Sequence, residues 1–280
     1  MNSSNLENSH RTELEAGERF DFGENWSLFL EVLDENRINE AVISLKNMLG
    51  VDSLAGKSFL DIGSGSGLFS LAARRLGATV YSFDYDPKSV GCTQELKKRY
   101  FESDEDWKIE IGSVLDFEYL KKLGKFDIVY SWGVLHHTGD MWKALDYIRH
   151  SVNSGGKLFI ALYNDQGRQS KYWWLIKKAY VSLPKFTRWL VLAPCYIRLW
   201  GPTVLRDFII LKPFKTWKDY KQSRGMSPHR DVIDWVGGFP FEVSKPDEIF
   251  CFFKKKGFNL CNLRTCAGGL GCNEFVFQLL

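Results

Sequence analysis

The sequence predicts an α/β fold in which a mostly parallel, Rossmann-like sheet carries helices on both faces. Two observations predict it. Between residues 58 and 163, short apolar runs typical of buried strands alternate with segments whose apolar residues have helical spacing. The first of these runs leads into a glycine-rich turn that opens a helix. Strands that alternate with helices need crossover connections, so neighbouring strands are expected to run parallel.

Each element is predicted from local spacing and from its flanking glycines and prolines. Strands are predicted at residues 58–62, 79–83, 108–111, 126–131 and 157–163, and helices at 68–76, 88–100 and 141–152. The alternation then stops for about eighty residues. It resumes with a helix at 246–256 and strands at 258–264 and 274–279, joined by a glycine-rich connection.

This pattern divides the chain into four segments. We expect residues 1–50 to form an N-terminal helical segment and 51–164 the cofactor-binding core. Residues 165–245 are expected to form a basic, aromatic-rich, helical insertion after the fifth strand that serves as a substrate lid, and 246–280 to complete the sheet. Within the first segment, the polar residues 1–19 are expected to fray, and the apolar spacing over 26–48 predicts a single helix.

Composition indicates a globular protein, with 45% hydrophobic and 25% charged residues. The six cysteines form no CxxC pair, so we expect no metal site, and we expect buried free thiols at Cys261, Cys266 and Cys272. The first residues are polar, and the longest apolar run, at 189–197, is short and contains Pro194. We therefore expect a cytoplasmic protein, with contact to the inner membrane surface as an open possibility.

A constellation around the first strand points to a ligand. Asp61 is followed by Gly63, Gly65 and Gly67, a GxGxG spacing that differs from the GxGxxG of pyrophosphate sites. Glycines let the backbone approach a ligand closely, and an acid at the strand end suits an ammonium group. Asp84 follows at the end of the second strand, where an acid accepts hydrogen bonds from ribose hydroxyls. A ligand with a ribose and an ammonium but no phosphate is S-adenosylmethionine.

The stretches FLDIGSGSG, YSFDYDP and FDIVYSWGVLHHTGD resemble class I S-adenosylmethionine-dependent methyltransferases, and in particular the ubiquinone-biosynthesis O-methyltransferase-like group. The resemblance covers residues 58–164 and the last strands. It implies a seven-stranded sheet whose final strand is antiparallel. Besides the acids and glycines above, the predicted cofactor residues are Ser64, Tyr85, Ser113, Val114, Trp132 and Arg37.

Four of these predicted cofactor residues have specific roles. Ser113 and Val114 are expected beside the adenine, although many relatives carry an acid at the Ser113 position. Trp132 is expected to flank the cofactor after the fourth strand. Arg37, on the helix before the sheet, is a candidate partner for the methionine carboxylate.

Two histidines are candidate proton acceptors. His137 follows the fourth strand, at the edge where open α/β sheets bind ligands. The alternative is that His136 and His137 cap the next helix or pack on the cofactor. His229 lies in a Gly-, Ser- and Pro-containing stretch of the insertion, which is typical of a lid, with Asp231 or Asp234 to orient it. The alternative there is a surface turn.

Residues 166–230 contain 14 Lys and Arg against two acids, together with five tryptophans. Four interpretations stay open. The segment contacts a membrane or lipid, grips an anionic soluble substrate, tracks a nucleic acid, or places its aromatics over the sheet while its cations face water. Nucleic acid is the least favoured, because Ser-Trp-Gly-Val stands where base-amino methyltransferases keep an Asn-Pro-Pro-Tyr-type tetrad.

These observations predict an S-adenosylmethionine-dependent methyltransferase that acts on a hydroxyl of a small-molecule, glycan or lipid-linked acceptor. Two alternatives remain. One is an RNA or protein methyltransferase that docks through the basic insertion, and the other is a cofactor-binding module without turnover.

Overall fold

The computed structural model describes residues 3–224 and 228–280 and centres on one sheet. Its strands are β1 (Ser58–Ile62), β2 (Thr79–Asp84), β3 (Trp107–Ile111), β4 (Phe126–Trp132), β5 (Val152–Tyr163), β6 (Phe258–Arg264) and β7 (Cys272–Leu279). They lie in the order β3-β2-β1-β4-β5-β7-β6, and β7 alone runs opposite to the other six strands. The predicted seven-stranded sheet with an antiparallel last strand is confirmed.

Helices cover both faces of this sheet. They are α1 (Ser3–Glu15), α2 (Phe22–Glu31), α3 (Glu35–Leu49), α4 (Leu68–Arg75), α5 (Pro87–Phe101), α6 (Phe117–Leu123), α7 (Met141–Ile148), α8 (Arg168–Ser182), α9 (Trp189–Ile209), α10 (Lys215–Arg224), α11 (Pro228–Gly237) and α12 (Pro246–Lys254). One apolar cluster packs α3, α4 and α5 on the first face, and a second packs α6, α7 and α12 on the other. The short α6 is missing from the predicted elements.

Strand β1 is central because it is apolar on both sides. Phe59 belongs to the first cluster and Leu60 to the second, and both side chains are fully buried. Successive side chains of a strand point to opposite faces, so this sequence is stable only with a helix layer on each side. The glycine-rich turn follows the carboxyl end of β1 and so lies at the carboxyl edge of the sheet.

The N-terminal segment differs from its prediction in two ways. Residues 3–15 form α1 and do not fray, because Glu13 and His10 contact residues that follow β2. The helix predicted over 26–48 is two helices, α2 and α3. Asp34 separates them: its side chain accepts a hydrogen bond from the Arg37 backbone amide and so caps the N-terminus of α3.

The insertion after β5 is helical, as predicted, and consists of α8 to α11. Helix α9 continues through Pro194 and Pro202. No helix within the described ranges is both long and apolar enough to cross a bilayer. Residues 225–227 of the predicted lid loop lie outside the described residues.

Candidate active site

The glycine-rich turn between β1 and α4 presents bare backbone at the sheet edge. Gly63, Gly65 and Gly67 all have positive φ, at 75°, 55° and 81°. A Cβ on Gly63 would lie 2.4 Å from the Val134 side chain, and one on Gly65 would lie 3.1 Å from the Trp26 indole. Both the backbone conformation and the space therefore exclude a side chain at Gly63 and at Gly65.

Ser64, in the same turn, is occupied by the protein itself. Its hydroxyl lies 2.9 Å from that of Thr93 on α5, and its side chain is buried. Ser64 therefore anchors the turn to α5, and its side chain is occupied within the protein.

Asp84 lies opposite the turn, at the end of β2. Its carboxylate accepts hydrogen bonds from the backbone amides of Gly65 and Asp86, each at 2.9 Å. Burial raises the pKa of Asp84 to about 6. A carboxylate accepts about four hydrogen bonds, so two acceptor positions remain beyond these two backbone bonds. The side chain is thus fixed in orientation and can still accept from a pair of hydroxyls.

Asp61 lies beneath the turn, in a buried polar chain. Its carboxylate accepts from the Ser70 hydroxyl, which lies 2.7 Å from the Ser82 hydroxyl, and the Trp107 indole donates to Ser82 at 2.9 Å. Burial raises the pKa of Asp61 to about 7. The carboxyl is therefore held ready beneath the turn, where a nearby cationic group would favour its ionised form.

We expect Asp61→Asn to stabilise the cofactor-free protein above neutral pH. The folded-state pKa of Asp61 is above its unfolded value, so wild-type stability is lost as pH rises from about 4 to about 7. The amide has no such titration. The gain should grow across that range and reach on the order of 1–3 kcal/mol at pH 8. Thermal unfolding of both proteins at pH 5 and pH 8 checks it, and an equal difference at both values would contradict the assignment.

The N-terminal segment closes over this edge. The Tyr85 hydroxyl donates to Glu13 at 2.9 Å, and Arg19 donates to Glu13 and to the His137 carbonyl oxygen at 3.0 Å. The Gly23 amide donates to Asp86 at 2.8 Å. Sequence reasoning missed Glu13 and Arg19, because their partners lie far along the chain. Their guanidinium–carboxylate pair joins the ends of β2 and β4.

The prediction for Arg37 needs correction. Its guanidinium donates to the Val32 carbonyl and to Asp34, both next to its own helix. The adjacent Glu35 pairs with Arg75 at the C-terminal end of α4, whereas the glycine turn precedes the N-terminal end of α4. An eight-residue helix is about 12 Å long, so Arg37 stands away from the turn. Arg19 is the cation that the structure brings to the site.

The remaining predicted cofactor residues follow β3 and β4. The Ser113 hydroxyl accepts from the Leu115 amide at 3.2 Å, and the Val114 side chain is buried in the core. Val114 can therefore offer a ligand only its backbone. Trp132 is the last residue of β4, the strand next to β1, and 43% of its surface is exposed.

His137 is buried just beyond β4, with a defined tautomer. Its Nδ1 lies 2.6 Å from the Pro240 carbonyl oxygen, which only accepts, so Nδ1 carries the proton and Nε2 keeps a lone pair. Burial, together with the Lys177 charge, lowers the pKa of His137 to about 3. The imidazole is therefore neutral at physiological pH. His136 is also buried, with its ring centroid 3.8 Å from that of Tyr163.

Lys177 is a further residue of the site that sequence reasoning missed. It is fully buried on α8, donates to the Trp235 carbonyl, and lies 4.4 Å from the Trp235 ring centroid and 4.8 Å from that of Phe241. Burial lowers its pKa to about 7. Nothing in the local sequence separates Lys177 from its exposed neighbour Lys178, since only the tertiary fold supplies the aromatic surroundings.

The structure does not bring His229 to the same place. His229 is exposed at the start of α11, where its Nδ1 is bonded to the Tyr196 hydroxyl and not to Asp231 or Asp234. Gly238, just past the other end of α11, is the residue next to His137. The intervening helix is about 15 Å long. Asp234 instead accepts from Asn25 of α2.

The cysteines are all free, and they form no cluster. Cys261 is exposed, so the expectation of a buried thiol there is wrong, and Cys266 and Cys272 are partly buried. Cys261 points outward because it lies on the edge strand β6. Among residues 3–224 and 228–280, no group of three or more His, Cys, Asp or Glu side chains is placed to hold a metal ion.

Comparison with known proteins identifies the family of the chain. A family model described as a methyltransferase domain matches residues 33–193, more than half of the chain. The chain is 32% identical over 111 residues to the ubiquinone biosynthesis O-methyltransferase of Xanthomonas oryzae pv. oryzae, covering 40% of the chain and 45% of that protein. It is 38% identical over 78 residues to the ribosomal protein L11 methyltransferase of Prochlorococcus marinus, covering 28% and 26%.

The matched regions span between about a quarter and a half of the length of these curated relatives. Among solved structures, magnesium protoporphyrin IX methyltransferase from Synechocystis PCC 6803, determined with bound SAH, aligns with 87% of this chain and 82% of its own. The TM-score is 0.50 and the sequence identity 16%, so this likeness concerns the fold.

Proposed function

Because the chain belongs to the methyltransferase domain family, we propose that it transfers a methyl group from S-adenosylmethionine to a hydroxyl oxygen of a small-molecule, glycan or lipid-linked acceptor. The observation that carries the proposal is the pairing of Asp84 with the Gly65 amide across the bare glycine turn. It places a fixed carboxylate with spare acceptor capacity beside glycines where no Cβ fits.

The residues of the edge fit this cofactor. Asp84 would accept from the two ribose hydroxyls, the turn from Gly63 to Gly67 would hold the amino-acid portion, and Asp61 beneath the turn would favour the ammonium group. Arg19, which also pairs with Glu13, would be a cation available to the carboxylate. When bound, S-adenosylmethionine supplies an already activated methyl group, so the protein has only to align the acceptor and manage its proton.

The acceptor side is aromatic and includes a basic nitrogen on His137. Tyr163 lies between the two histidines and Trp235, with ring centroids 5.3 Å from His137 and 5.2 Å from Trp235. Nε2 of His137 has the lone pair needed to take a hydroxyl proton. These surroundings suit a hydroxyl carried on a flat or apolar molecule. The chemistry assigned to His137 is that of a general base.

Lys177 sets the pH range of that base. We expect Lys177→Met to raise the pKa of His137, since it removes the charge that, after burial, most lowers it. In the wild type, turnover should not change with the titration of His137 above about pH 5. In the variant, the acid limb of kcat/KM should move to higher pH. Lys178→Met, at the exposed neighbouring position, is the control. An unchanged limb in Lys177→Met would contradict this coupling.

The acceptor class is tested with methyl-labelled S-adenosylmethionine and cell extract separated into lipid, glycan, RNA and protein fractions. Label in a lipid or glycan fraction supports the proposal. Label in RNA or protein would replace it with the alternative in which the basic insertion docks a macromolecule. Cofactor binding without label in any fraction would indicate a binding module without turnover.

A further inference from the structure

Helix α9 exposes apolar side chains along its whole length. Leu190, Ile197, Leu205 and Phe208 are 54%, 73%, 63% and 51% exposed. Their spacing of seven, eight and three residues places them on one stripe of the helix. The helix has 21 residues and is about 30 Å long. Cys195 and Leu199 of the same helix pack in an apolar cluster, so the exposed stripe is a second apolar face of α9.

The stripe continues into the turn after α9. Ile209 and Leu211 are 73% and 88% exposed. The turn is nonetheless well ordered, because the buried Asp207 accepts from the Thr216 amide at 2.7 Å and its hydroxyl at 2.8 Å. These hydrogen bonds of Asp207 fix the conformation of the turn in which Ile209 and Leu211 are exposed to solvent.

Cations accompany these apolar residues. Residues 166–230 carry 14 Lys and Arg against two acids. Arg198, Lys212 and Lys215 are exposed on α9, in the turn and at the start of α10. A single helix-and-turn surface with an aliphatic stripe and flanking cations matches the interfacial region of a bilayer, where acyl chains lie below a layer of phosphates.

A groove beside the stripe fits the same environment. Its volume is about 560 Å³, and its walls include Trp200, Val204, Phe214 and Trp217 between α9 and α10. Such a volume accommodates a hydrocarbon chain. It opens on the side of the helix that carries Ile197, which also lines it.

We propose that the docking face, defined as Trp189, Leu190, Ile197, Leu205, Phe208 and Leu211, binds the surface of an anionic lipid bilayer. The apolar side chains enter the acyl boundary while the flanking Lys and Arg remain at the phosphates. Other occupants fit less well. A second copy meeting the same face would oppose two strongly cationic surfaces, and nucleic acid would leave the aliphatic stripe without stacking partners.

The test is flotation of the full chain with vesicles of phosphatidylcholine alone or with about one-third phosphatidylglycerol. We expect binding to the anionic vesicles that weakens as salt rises. The double variant Ile197→Glu/Leu211→Asp should reduce partitioning at least about tenfold. Both positions are exposed, and Asp tolerates the positive φ at residue 211, so the fold should persist. Ile43→Glu, on the exposed side of α3, is the matched control.

Failure to float with either vesicle, or equal binding by the double variant, would overturn the proposal. A dimer in analytical ultracentrifugation that Ile197→Glu dissociates, without vesicle binding, would assign the face to a second copy and also overturn it. The inference does not depend on methyl transfer. Calorimetric affinity for S-adenosylhomocysteine should be the same in all variants, so loss of the cofactor site and loss of the docking face are separately visible.

Discussion

Asp84→Asn is expected to weaken S-adenosylhomocysteine binding by about 100-fold or more, measured by calorimetry. The carboxylate would accept from both ribose hydroxyls, and each charge-assisted hydrogen bond contributes about 1.5–3 kcal/mol. The burial that raises the pKa of Asp84 in the free protein also makes affinity pH-dependent. Binding requires the ionised form, so wild-type affinity should rise between about pH 5 and pH 7 and then level off.

A ligand change makes this prediction sharper. A 2′-deoxy analogue of S-adenosylhomocysteine removes one hydroxyl, so its loss of affinity and that of Asp84→Asn should not add. Asp52→Asn, at a fully exposed acid, should bind like wild type. The amide at position 84 keeps one of the two backbone bonds, and thermal unfolding reports whether the turn survives. Additive losses with an intact fold would remove the ribose role.

His137→Asn is expected to lower turnover by about 10²–10⁴-fold with little change in cofactor affinity. Asparagine places its amide nitrogen where Nδ1 stands, so the hydrogen bond to the Pro240 carbonyl can persist while Nε2 is lost. Single-turnover kinetics with an identified acceptor measures the effect. The substitution removes the lone pair of Nε2 while the hydrogen bond to the Pro240 carbonyl can be kept.

The complementary variant is His137→Gln, which restores a polar atom near Nε2 but breaks the Pro240 bond. It should be no more active than the asparagine variant, since an amide is not a base. His229→Ala, at the exposed start of α11, is expected to retain far more activity than either. Full turnover in His137→Asn would contradict the general-base role and leave alignment of the acceptor as the protein's contribution.

The strands and the glycine turn were predictable because local chemistry specifies them. The sequence alone predicts a buried strand that includes Phe59 and Leu60, followed by a glycine-rich turn from Gly63 to Gly67. Their structural roles follow within a few residues of chain. Asp84 was predictable for the same reason, since it ends the next strand at a fixed distance from the turn.

The rest of the site depends on contacts between distant parts of the chain. Glu13 meets Tyr85 and Lys177 meets Trp235 only when the sheet has assembled, so neither has a local signal. Arg37 was misassigned because helical spacing across 26–48 hid the N-cap at Asp34. The partners of a charged side chain on a helix are decided only when the position of that helix in the fold is known.

The most direct test is the structure of crystals soaked with S-adenosylhomocysteine. We predict the ligand at the carboxyl edge, with both ribose hydroxyls within hydrogen-bond distance of Asp84 and the amino-acid end against the turn from Gly63 to Gly67. A crevice that stays empty at saturating ligand, or a ribose held by any other side chain, would contradict the central claim.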